Sequence, residues 1–165
     1  MANMNVPLLD LKAQYSPIKA EVEEAVRQVL DSQVFILGPK VAAFEKACAA
    51  YIGTPSTVGV ANGSDAIVLA LQARDVKAGD EVVTTPFTFF ATAGAVGRLG
   101  ARAVFADIDE KTFNLDAKAA IAAITPKTKA MLPVHLFGRC AEVEPLVAAA
   151  KPKGIWVIED AAQAI

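Results

Sequence analysis

The side chains with chemistry to offer are an acid, an amide, a hydroxyl and a group of aromatic rings, each placed just after an apolar run. Trp156-Val157-Ile158-Glu159 ends on Asp160, and Gln163 follows three residues later. Such a run reads as a strand buried on both faces, and in open α/β sheets ligands bind outside the carboxyl ends of strands. A carboxylate held there, mostly out of water, needs a cationic donor or it takes up a proton. A ring N–H of a bound cofactor would serve as that donor. Capping a following helix is the other use of such an acid.

Val60-Ala61-Asn62-Gly63-Ser64-Asp65-Ala66-Ile67 reads as a strand, a tight turn and a helix start. Unpaired N–H groups and the helix dipole make that junction a seat for phosphate, with the Ser64 hydroxyl as an added donor. Gly-Ser-Asp is equally an ordinary helix cap. The stretch Thr84 to Ala93 brings Phe87, Phe89 and Phe90 to the same edge. A ring there either stacks on a flat heterocycle, worth about 1 kcal/mol beyond its buried area, or packs into the core. Phosphate seat, aromatic plate and acid, all at strand carboxyl ends, together describe a phosphorylated pyridine cofactor better than any one of them alone.

Five β-type runs must position these groups: Thr57 to Val60, Glu81 to Thr84, Arg102 to Ala106, Lys129 to Val134 and Ile155 to Glu159. The intervals of 20, 17, 22 and 20 residues are too long for hairpins and suit crossovers that carry a helix. Helical patterns fill them at Asp65 to Arg74, Phe89 to Leu99, Asp116 to Ile124 and Ala141 to Ala150. Two amphipathic helices precede the first run. One starts at Ser16-Pro17 and continues through Asp31; the other runs from Gly38-Pro39 to a stop at Gly53. The expected fold class is α/β, with a mainly parallel sheet.

With 165 residues, 54% of them apolar, the chain is long enough for one domain with a real core. A net charge of -2 without a basic cluster argues against a nucleic-acid surface or a polybasic membrane patch. No apolar run is long enough for a membrane helix, and the N-terminus shows no basic stretch followed by an apolar one, so a cytoplasmic setting is expected. Cys48 and Cys140 complete no metal-ligand spacing and are expected to be reduced core thiols. No metal site is expected. His135, the only histidine, is assigned to a hydrogen-bonded structural role near the site.

Asn62-Gly63-Ser64-Asp65-Ala66, Gly79-Asp80-Glu81-Val82-Val83, Phe87-Thr88-Phe89-Phe90-Ala91-Thr92-Ala93, Asp107-Ile108-Asp109, Pro133-Val134-His135-Leu136-Phe137-Gly138 and Glu159-Asp160-Ala161-Ala162-Gln163-Ala164 occur in a characteristic order and spacing. In this the chain resembles the DegT/StrS family of sugar aminotransferases, pyridoxal 5'-phosphate (PLP) enzymes of aspartate-aminotransferase fold type I. The resemblance implies a three-layer α/β/α arrangement. Residues 6–165 would be the N-terminal part of the PLP-binding large domain, with that domain incomplete and the small C-terminal domain absent. It further implies that Gly63, Ser64 and Asp65 hold the cofactor phosphate, Phe89 stacks on the pyridine, Asp160 accepts the pyridine N–H and Gln163 reaches the phenolic oxygen.

The activity implied is transfer of an amino group, with glutamate as donor, to a keto group of a nucleotide-linked sugar, in amino-sugar or cell-surface polysaccharide biosynthesis by a homodimer. In the family the Schiff-base lysine lies beyond the position of Gln163, and no lysine of this sequence takes its place. The chain is therefore expected to be a truncated portion. Two alternatives are a PLP-dependent sugar dehydratase of the same family, with a histidine for the lysine, and a non-catalytic fragment. The family's sheet order also implies four adjacent strands here, with Thr57 to Val60 left across a gap.

Overall fold

The structure, a computed structural model, describes residues 7–165. Residues 1–6, including the expected domain start at Val6, lie outside the described residues. Two compact units divide the chain after Gly59.

In the first unit, α1 spans Leu11–Ser32 and α2 spans Pro39–Ile52. The start expected at Ser16-Pro17 lies earlier, because the Asp10 carboxylate accepts from Ala13 N–H at 2.9 Å and caps the helix there. Pro17 consequently sits inside α1, at the cost of one backbone hydrogen bond. α2 runs as expected from its proline to Gly53, whose φ of 78° is the left-handed stop that glycine adopts without strain. Neither helix has a buried residue. Their apolar stripes, among them Val22, Val26 and Leu30, are exposed.

Thr57 to Val60 is not a strand. No described residue forms a ladder with it, and a strand is stabilised by its ladder rather than by its own propensity. Its polar groups turn instead to Glu45. Gly59 N–H donates to Glu45 Oε1 and the Thr57 hydroxyl to the Glu45 carbonyl, both at 2.7 Å.

The second unit is the α/β body. Its helices are α3 (Gly63–Gln72), α4 (Phe90–Arg98), α5 (Ala117–Ala122) and α6 (Val143–Ala150). Strands β1 (Glu81–Thr84), β2 (Arg102–Phe105), β3 (Thr128–Met131) and β4 (Trp156–Val157) form one parallel sheet in the order β2-β1-β3-β4. Because side chains alternate across a pleated strand, Val82, Ala130 and Leu132 face α3 and α4. Val83 and Met131 face α5 and α6. Two apolar cores thus sandwich the sheet into three layers.

The last two strands are shorter than expected, and Pro133 marks the reason. Lacking an N–H, it cannot donate to the ladder, and regular pairing gives way to a single bridge between Val134 and Asp160. That bridge holds Asp160 firmly. Its N–H donates to the Pro133 carbonyl at 2.9 Å, and its carbonyl accepts from His135 N–H at 3.0 Å.

Candidate active site

Asp160 stands where the parallel pairing ends, at the carboxyl edge of the sheet, and is 8% exposed. Thr92, fully buried in the first turn of α4, donates its hydroxyl to Asp160 Oδ2 at 2.8 Å. Oδ1 has one contact, with Ala162 N–H at a long 3.3 Å. Asp160 does not cap a helix, since none follows it among the described residues.

Beside it lies a cavity of about 250 Å³ whose wall includes Gly63, Ser64, Thr88, Phe89, Asp160 and Gln163. Five of the six residues that the resemblance assigns to the cofactor therefore converge here, although nearly a hundred residues separate the first from the last. Topology explains the convergence. α3 and α4 present their N-termini at the edge where β3 and β4 end, so the phosphate seat, the ring and the acid share one rim.

Asp65, the sixth, does not line the cavity. Its backbone N–H donates to Asn62 Oδ1 at 2.9 Å and its carboxylate accepts from the Arg98 guanidinium at 2.8 Å. The Arg98 hydrogen bond holds the Asp65 carboxyl below the usual carboxylate range, against a smaller opposing effect of desolvation. Asp65 therefore completes the cap and ties α3 to α4. What remains for an anion is the N–H of Gly63, the N–H of Ser64 and the Ser64 hydroxyl, which find no acceptor among the described residues.

The aromatic residues sort by position. None of Phe87, Phe89 and Phe90 is core; all three are exposed. Phe89 lines the cavity, whereas the Phe90 ring lies against Gly94, one turn along α4, and Phe87 approaches Phe113 with ring centroids 6.2 Å apart. Gln163 is fixed by its own oxygen. Phe137 N–H donates to Gln163 Oε1 at 2.9 Å, which leaves Nε2 as the end of the amide able to donate to a ligand.

His135 is buried and bonded at both ring nitrogens. Ala141 N–H donates to Nδ1 at 2.9 Å, so the ring proton sits on Nε2 and points to Glu159 Oε2, also at 2.9 Å. Asp109 Oδ1 accepts from Lys111 and Thr112 N–H, closing the turn after β2. Those backbone donors hold its carboxyl below the usual range. The two thiols correct an expectation: both are free, but Cys48 is only half-buried and Cys140 is exposed, on the loop before α6. Thr88 and Thr92 were not singled out in the sequence. Thr88 lies in the bend before α4 and Thr92 in its first turn, and their hydroxyls meet at 3.1 Å.

The donor set suits a phosphorylated pyridine: three hydrogen-bond donors for the anion, an exposed ring, a buried acid for a ring N–H and an amide donor for an oxygen. The cavity, about 250 Å³, is a little below the usual size of small-molecule sites. Among the described residues no helix is long and apolar enough to cross a membrane.

Comparison with known proteins follows the same line. The model of the DegT/DnrJ/EryC1/StrS aminotransferase family matches residues 16–165. A "pleiotropic regulatory protein" of Geobacillus stearothermophilus is 54% identical over 162 residues, 98% of this chain and 44% of that one. The UDP-2-acetamido-2-deoxy-3-oxo-D-glucuronate aminotransferase of Pseudomonas aeruginosa is 44% identical over 158 residues, 96% of this chain and 44% of that one. Among solved structures, NtdA from Bacillus subtilis with bound cofactor PMP superposes with a TM-score of 0.93 at 32% identity, covering 100% of this chain and 39% of the other. The chain thus spans less than half the length of the curated relatives it matches.

Proposed function

The chain belongs to the DegT/DnrJ/EryC1/StrS aminotransferase family, and from that premise we propose that the whole protein is a PLP-dependent aminotransferase. It transfers an amino group from glutamate to a keto group of a nucleotide-linked sugar, in amino-sugar or cell-surface polysaccharide biosynthesis. It works in the cytoplasm as a homodimer. Residues 6–165 supply the N-terminal part of its cofactor-binding large domain. The observation that carries this reading is the convergence of Gly63, Ser64, Phe89, Asp160 and Gln163 on one cavity.

When bound, the cofactor supplies the electron sink that the substrate carbon needs during amino transfer. The residues of this chain do the rest. The N–H groups of Gly63 and Ser64 and the Ser64 hydroxyl take the phosphate at the N-terminus of α3, where the helix dipole favours an anion. Asp65 keeps that turn closed. Phe89 covers one face of the ring. Asp160 accepts the pyridine N–H and so keeps a proton on that nitrogen, which is what lets the ring withdraw electrons. Gln163 donates from Nε2 to the phenolic oxygen.

The test is to purify the whole protein and titrate it with PLP, then follow glutamate-dependent amination of UDP- and dTDP-linked keto sugars. Cofactor binding with turnover is expected. Binding with elimination of water instead of amination would favour the dehydratase reading, and failure to bind the cofactor would overturn the assignment of the cavity.

A further inference from the structure

Resting on the reading of Asp160 as acceptor of the pyridine N–H, we infer that Thr92 is the positioning residue of that acid, acting at the end of a directed relay from Thr88. The direction follows from donor counting. An ionised carboxylate can only accept, so at 2.8 Å the Thr92 hydroxyl must give its single proton to Asp160 Oδ2. The Thr92 oxygen is then free only to accept, so in the 3.1 Å contact with Thr88 it is the Thr88 hydroxyl that donates. The order is Thr88 to Thr92 to Asp160.

Three features set this chain apart from a casual buried contact. Thr92 is completely buried and makes no other side-chain hydrogen bond, so the hydroxyl has no purpose in the core besides this one. Thr88 lines the cavity, so the relay starts at the site and ends at the acid. Apart from a long 3.3 Å contact from Ala162 N–H to Oδ1, Asp160 is otherwise fixed by its main chain, through the Pro133 carbonyl and His135 N–H, and those bonds do not set the carboxyl rotation. Thr92 sets it. With Oδ2 held, Oδ1, which has only the long Ala162 contact, is the oxygen left to accept from a ligand.

The experiment uses the whole protein, comparing Thr92→Val, Thr92→Ser, Asp160→Asn and the double variant Thr92→Val/Asp160→Asn. The readouts are the PLP dissociation constant from equilibrium dialysis and the melting temperature of the cofactor-free form. Thr92→Val should weaken PLP binding on the order of tenfold or more, the scale of one hydrogen bond to a charged group. Thr92→Ser should restore it, and Thr92→Val should have little further effect once Asp160 is already Asn. If Thr92→Val folds poorly, Thr88→Val interrupts the same relay from the cavity wall and should weaken binding to a smaller extent. A Thr92→Val protein, or failing that Thr88→Val, that loses melting temperature but keeps full affinity overturns the role of Thr92 alone. Unchanged affinity in Asp160→Asn overturns it together with the reading of Asp160.

Discussion

An amide can turn either end toward a ligand, and Gln163 is held to one. The bond from Phe137 N–H to Oε1 is made where Phe137 has a φ of 55° and Gly138 a φ of 86°, two consecutive left-handed residues beside the site. A Cβ on Gly138 would lie 3.2 Å from the Gln163 carbonyl oxygen. Gly138→Ala should therefore cost about 1–2 kcal/mol and disturb Gln163, which a urea-denaturation midpoint and a PLP titration on the same variant would read. Asp160→Asn should keep the fold but lower glutamate half-reaction rates by roughly 10²–10³-fold, since an amide cannot stabilise a protonated pyridine; near-normal rates would remove the assignment. Phe89→Ala should weaken cofactor retention by about 1–3 kcal/mol, measurable by dialysis against PLP. Unchanged affinity would leave the ring without a role. That Asp160, Ser64 and Phe89 share one rim was legible in the sequence because each lies near a strand end or a helix start. Thr92 was not, because its partner lies 68 positions away in another element.

At the scale of elements, the bounds of α2 were read well, from Pro39 to Gly53, whereas the start of α1 was not, because Asp10 caps it ahead of Ser16-Pro17. Thr57 to Val60 failed because β propensity says nothing about whether a partner strand is at hand. β1 carries a different kind of information at its start. Glu81 is buried there, accepting from the Thr125 hydroxyl at 2.6 Å and from Arg102 at 2.7 Å. The Thr125 hydrogen bond first, and then Arg102, hold its carboxyl below the usual range despite desolvation. A carboxyl that binds its proton more weakly when folded contributes stability that is complete above its unfolded value, about 4.3. That contribution is lost as the pH falls through the lower folded value. Glu81→Gln should therefore flatten the decline in stability between about pH 5 and pH 3 without affecting the distant cofactor edge. Urea midpoints measured across that range would show it, and equal declines in both proteins would mean that Glu81 is not coupled to folding.

For the molecule as a whole, the parallel sheet and its two covering layers were legible from strand spacing and apolar periodicity, and open edges were expected from the gap in the strand order. α1 carries Ile18, Val22, Val26 and Leu30 on an exposed face, and Phe35, Ile36 and Leu37 follow it in the open. In the second unit, β4 is an edge strand of two residues, and an apolar hollow of about 340 Å³ lies beside it, walled by Val147, Ile155 and Trp156 among others. Open edges and contiguous apolar faces recruit other chains. Among the described residues no lysine lines the cavity that holds Asp160, and amino transfer on PLP needs an amine there to move the proton. Expressed alone, the 165-residue polypeptide should therefore associate or fold loosely, and should show no glutamate-dependent turnover even with PLP added. Solubility, sedimentation, cooperative denaturation and turnover of the isolated polypeptide check each part. A monodisperse monomer that unfolds cooperatively would mean that the exposed stripes and the β4 edge are tolerated in water. Turnover by the same sample would mean that a lysine from elsewhere in the chain reaches the cavity, against the placement of Asp160 and Phe89 as a site that still needs one.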